Sequence, residues 1–111
     1  MGATMTNDIE RLRRVSDEAQ HAAHDAFGAW QRAQLDLDYK GKMFAAGGRV
    51  FGREITSTEI QGMRAMVRDL QAAYERAEAA ELEASNAYLD ALRRQAAELT
   101  RAEVAGFDPH L

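Results

Sequence analysis

Residues 42–60 read KMFAAGGRVFGREITSTEI, the stretch in which the helical pattern of this chain stops and starts again. Gly47-Gly48 predicts a helix end, because glycine takes the left-handed conformation after a last turn without a Cβ penalty. Thr56, followed three residues later by Glu59, predicts a helix start through its side-chain cap. Between the two signals lie Val50, Phe51 and Ile55, with Phe44 just upstream, where a connection is ordinarily polar; an apolar loop is expected there, the alternative being a two-residue hairpin turn at Gly47-Gly48 with residues 43–46 and 49–51 as short arms.

Working outward, the residues on both sides repeat at helical spacing. Asn7 with Glu10 reads as a capping box, and Ile9, Leu12, Ala19, Ala23, Ala26, Trp30, Ala33, Leu37 and Phe44 follow at intervals built from three and four, with Val15, Ala22 and Ala29 widening the stripe. Beyond Thr56 the stripe is Met63, Met66, Val67, Leu70, Ala73, Tyr74, Ala77, Ala80, Ala84, Ala87, Tyr88 and Ala91, with Gly106 and Pro109 as terminators. Pro109 is the one proline of the chain, and β-branched runs are scarce. Both features favour long helices over strands. The expectation is an all-α chain, a single domain over 1–111, with helix 1 about 7–46, a connecting loop about 47–56, helix 2 about 57–104 and a short tail.

Helices of that length span roughly 55–70 Å at ~1.5 Å per residue, too long for a globule of 12.3 kDa. A long, coiled-coil-like antiparallel two-helix hairpin is the arrangement expected. Folding about residues 51 and 52 sets Ala19 near Ala84, Ala23 near Ala80 and Ala26 near Ala77, and it brings Gly41 across from Gly62. Close helix approach would then account for the two glycines, each costing about 1 kcal/mol of helix propensity relative to Ala.

Alanine seams bury little area, and at ~25 cal/mol per Å2 a lone hairpin is weakly held against the entropy of ordering it. A second stripe on helix 2, Leu82, Leu89, Leu92, Ala96 and Leu99, supplies the missing surface, with Trp30, Phe27 and Leu35 as candidates on helix 1. These residues predict burial against another copy as a homodimeric four-helix bundle, or against a different protein. The competing arrangement is a helix 2 that bends or shifts register so that the leucines pack on helix 1.

Charge is divided unevenly. Over residues 40–68 six basic residues, Lys40, Lys42, Arg49, Arg53, Arg64 and Arg68, stand against Glu54 and Glu59, while the whole chain carries −4. The connection is therefore a basic, apolar tip on an otherwise acidic molecule. Phe44, Val50 and Ile55 folding back would plug the open end of the hairpin. Phe44, Arg49, Val50, Phe51 and Arg53 left outside would instead suit an acidic, partly apolar protein partner. Nucleic acid would use the same charges of the 40–68 segment, but the acidic remainder repels phosphate.

Sites of chemistry are sparse. Glu18-x-x-His21, near His24 and Asp25, has the spacing that supplies two metal ligands from one face, and Glu81 stands among Glu75, Glu78 and Glu83 opposite, a combination that resembles the di-iron sites of helical bundles. Glu18 and His21 fall on the face away from the seam, whereas a bundle metal site projects inward, so no cofactor is expected. The chain has no cysteine, nucleophile triad or phosphate-cradling loop. Trp30 is followed by Gln31-Arg32 in mid-helix, unlike the turn W-x-G of small secreted helical hairpins. The chain lacks an apolar run of membrane-spanning length or a signal-peptide core, which predicts a cytoplasmic location. The function expected is non-catalytic protein binding, as adaptor, small assembly or secretion chaperone, or occluding inhibitor. The metal-binding bundle and the nucleic-acid binder stand as alternatives.

Overall fold

The computed structural model describes residues 2–50 and 52–106, with the backbone alone for residues 2–6, 50 and 105. Two long helices, α1 (Gly2–Ala45) and α2 (Ser57–Gly106), pack as a hairpin, and between them lie two short strands, β1 (Arg49–Val50) and β2 (Arg53–Glu54). Phe51 and Pro109 lie outside the described residues.

Local chemistry sets the helix ends that face the connection. Gly47, at φ +70°, donates its N–H to the Phe44 carbonyl at 2.9 Å, and Gly48 N–H reaches the Met43 carbonyl at 2.7 Å. This pair of bonds is the Schellman motif, and it satisfies two carbonyls that a helix end leaves free. A Cβ on Gly48 would stand 2.8 Å from the Met43 oxygen, so the second glycine is required by close approach. On the far side Thr56 Oγ1 accepts the Glu59 N–H at 3.1 Å, the N-cap expected there. The reciprocal half of the box is missing, because the Glu59 carboxylate turns instead to Arg53 at 2.8 and 3.3 Å.

Three expectations are corrected. α1 starts at Gly2 rather than at Asn7: nothing between them breaks a helix, and a capping residue permits a start without enforcing one. The connection holds a hairpin rather than a plain loop, with Arg49 paired to Glu54 and Val50 to Arg53. Its turn includes Gly52, at φ +79°, because Gly47-Gly48 is already committed to the helix cap. Gly41 and Gly62 mark no close approach, since a Cβ on either would meet nothing within 4 Å.

The chain divides into two compact units, residues 1–20 with 80–111, and residues 21–79. In the second unit Ile55 and Ile60 are buried together, with Leu37, Met43 and Met63 packed against them. In the first, Ser16 is buried and its hydroxyl lies 3.3 Å from that of Ser85. The less exposed positions include a heptad series: Ile9, Leu12, Ser16 and Ala19 in one unit and Ala23, Ala26, Trp30, Ala33 and Leu37 in the other, with Ile60, Met63, Val67, Leu70, Tyr74 and Ala77, then Glu81, Ala84, Tyr88, Ala91 and Gln95 on α2. One step off that frame Val15, Ala22, Met66 and Ala80 are exposed, whereas Ala29, Ala73 and Ala87 are half-buried. Among the described residues no large side chain is fully buried.

Candidate functional site

At the connection end of the second unit the apolar residues divide. Ile55 turns inward beside Ile60 and closes the end, whereas Phe44, on the last turn of α1, keeps 40% of its surface exposed. The side chain of Val50 and all of Phe51 lie outside what is described. Arg53 grips Glu59 through two guanidinium nitrogens, which ties β2 to the first turn of α2. Lys40 pairs with Asp36 at 3.3 Å. Among the described residues Lys42, Arg49, Arg64 and Arg68 form no ion pair, and Arg49 stands opposite Glu54 in the hairpin register.

The second surface is on α2 in the first unit. Leu82, Leu89 and Leu99 are 64%, 45% and 60% exposed, while Leu92 is half-buried and Ala96 exposed. At 3.6 residues per turn these side chains form a stripe about a quarter turn from the Ala84–Tyr88–Ala91 seam. The half-buried series on this stretch of α2 continues through Gln95, and Leu82 and Leu89 stand exposed beside it.

Trp30 is held elsewhere. Its ring stacks on Tyr74 at 5.6 Å and meets the edge of Phe27 at 6.0 Å, inside the second unit. Its Nε1 is buried and has no hydrogen-bond partner among the described residues. Tyr74 donates its hydroxyl to the Glu78 carboxylate at 2.5 Å. Ser16, Glu81 and Gln95 are polar residues at heptad core positions and give no apolar signal; their spacing of seven from core neighbours is the one trace they leave in the sequence.

No family model, curated protein or solved structure matches the chain. For the metal reading, Glu18 and His21 are exposed and Glu81 is half-buried. Among the described residues no group of three or more His, Cys, Asp or Glu is placed to hold an ion. Among the same residues no helix is long and apolar enough to cross a membrane.

Proposed function

We propose that this chain is a non-catalytic, cytoplasmic protein–protein interaction module that self-associates into a four-helix bundle through the α2 leucine face and offers its connection end to an acidic partner. The observation that carries the reading is the row Leu82, Leu89 and Leu99, left open on a helix whose other face is already occupied. Exposed leucines repeated over several turns are an apolar patch, and such patches on a chain with a thin core mark contact surfaces. The connection adds the partly exposed Phe44 with Lys42 and Arg49 close to it in sequence, neither of them ion-paired among the described residues. Its charge favours capture of an acidic surface and sets the rate of encounter more than the final affinity.

Sedimentation of the parent and of Leu82→Glu/Leu89→Glu tests this. Both side chains are exposed, so the variant keeps its helicity by circular dichroism while the parent dimer becomes a monomer. A parent that stays monomeric at every attainable concentration overturns the reading.

A further inference from the structure

The α2 leucine face has a symmetry of its own. Leu82, Ser85, Leu89, Leu92, Ala96 and Leu99 are separated by three, four, three, four and three residues, a series that reads the same from either end. Size repeats the pattern, running large, small, large, large, small, large. An antiparallel copy centred between Asp90 and Ala91 therefore meets this stripe in register. Leu82 falls opposite Leu99 of the second copy, Leu89 opposite Leu92, and Ser85 opposite Ala96. Alternating 3-4 spacing is also what lets knobs of one helix enter holes of another.

Charge selects between orientations. Residues 80–90 hold Glu81, Glu83 and Asp90 with no basic residue, whereas residues 91–101 hold Arg93, Arg94 and Arg101 against Glu98. A parallel pair would stack the acidic half on the acidic half and the basic on the basic. An antiparallel pair sets each half against its opposite, and it also opposes the two helix dipoles. The edges add no conflict, because Arg93 comes opposite Asn86 and Tyr88 opposite Gln95. Ser85, whose hydroxyl is engaged by Ser16, presents its remaining surface to a methyl group rather than to another hydroxyl.

We propose that a second copy of this chain covers the leucine face with the same residues, the two α2 helices running antiparallel and meeting between Leu89 and Leu92. This rests on the self-association proposed above and adds its partner face, direction and register. The contact is isologous, so it closes at two copies and leaves no leucine stripe to recruit a third.

The chain has no cysteine, so introduced thiols report geometry directly. Ser85→Cys and Ala96→Cys proteins are purified separately, mixed and oxidised mildly. The antiparallel register yields a mixed disulfide joining one variant to the other, and Ala96→Cys alone yields none, because its two thiols stand about 16 Å apart along the axis. A dimer in which Ala96→Cys links to itself, or in which the mixed disulfide never forms, overturns the antiparallel register while leaving self-association intact. A parent that sediments as a monomer removes both. The wild-type chain gives an independent reading: added salt weakens an antiparallel dimer severalfold and strengthens a parallel one, and strengthening overturns the proposal.

Discussion

Ser16 and Ser85, 69 residues apart in the chain, bring their hydroxyls within 3.3 Å of each other, and Ser16 is a buried polar residue in a seam where Glu81 and Gln95 are half-buried. The pair fixes which turn of α1 meets which turn of α2 in the first unit, since a slip of one turn would bury one hydroxyl against methyl groups. A buried donor stripped of its partner costs about 1–3 kcal/mol, whereas a pair replaced together by apolar groups is nearly neutral. Ser16→Ala therefore lowers stability by about 1 kcal/mol, and Ser16→Ala/Ser85→Ala recovers most of that loss. Urea titration of the two variants and the parent gives the coupling; simple additivity would show that the hydroxyls do not act as a pair.

The helical glycines provide a second test, with opposite signs at different sites. Gly41 and Gly62 lie within α1 and α2, and a Cβ on either meets nothing within 4 Å. Replacement by Ala removes backbone freedom from the unfolded chain and stabilises by about 0.5–1 kcal/mol at each site. Gly48→Ala drives a methyl to 2.8 Å from the Met43 carbonyl and destabilises. Thermal melts expect a higher midpoint for the first two and a lower one for the third. A fall in Tm for Gly41→Ala or Gly62→Ala would restore the tight helix approach that the structure does not show.

These outcomes bear on what the sequence could disclose. The Gly47-Gly48 stop and the Thr56 cap were legible because each is decided by a few neighbouring backbone groups. The turn at Gly52 was not, since two glycine-bearing sites competed for it and the helix cap claimed the first. Seam membership of Ser16, Glu81 and Gln95 was hidden for another reason: each lacks the apolarity that marks a seam position, and Glu81 and Gln95 are only half-buried there. The leucine stripe was legible from its spacing, and of it Leu82, Leu89 and Leu99 are exposed while Leu92 is half-buried.

Trp30 carries a cost inside its own cluster. The indole Nε1 is buried without a hydrogen-bond partner among the described residues, while the ring stacks on Tyr74 and meets Phe27. Trp30→Phe keeps an aromatic ring and removes the stranded N–H, so relief of about 1–3 kcal/mol offsets much of the lost contact area. The net loss is expected below about 1 kcal/mol, against about 3–5 kcal/mol for Trp30→Ala. Circular dichroism melts measure both, and equal losses would mean that the indole N–H is satisfied in solution.

Arg53 and Glu59 form the charged contact that tethers β2 to α2, and the arginine is mostly exposed. Exposed pairs contribute about 0–1 kcal/mol, so Arg53→Ala has little effect on global stability. Its expected effect is local: hydrogen exchange at the Glu54 and Ile55 amides quickens while that of Val67 and Leu70 is unchanged. Arg53→Lys, which cannot reproduce the two-nitrogen grip, resembles the alanine variant. Uniform quickening along α2 would show that Arg53 supports more than the hairpin.

The division between Ile55 and Phe44 separates closure of the connection from contact with a partner. Ile55 is buried beside Ile60 with Leu37, Met43 and Met63 around them, and truncating such a side chain costs about 2–5 kcal/mol through lost transfer energy and the cavity left behind. Phe44 retains 40% of its surface, and its neighbours Lys42 and Arg49 have no ion-pair partner among the described residues. Phe44→Ser therefore lowers stability by about 1 kcal/mol or less, as expected of a partly exposed site, yet reduces capture of an acidic protein surface at least tenfold. Ile55→Ala has the reverse profile, with a large loss of stability, while the fraction still folded binds as the parent does. The probe is an acidic protein first shown by titration to bind the parent chain, with affinity and urea midpoint measured on the same preparations. If Phe44→Ser lost stability and kept its affinity, Phe44 would belong to the closure of the unit, and the acidic-partner role of the connection would fall.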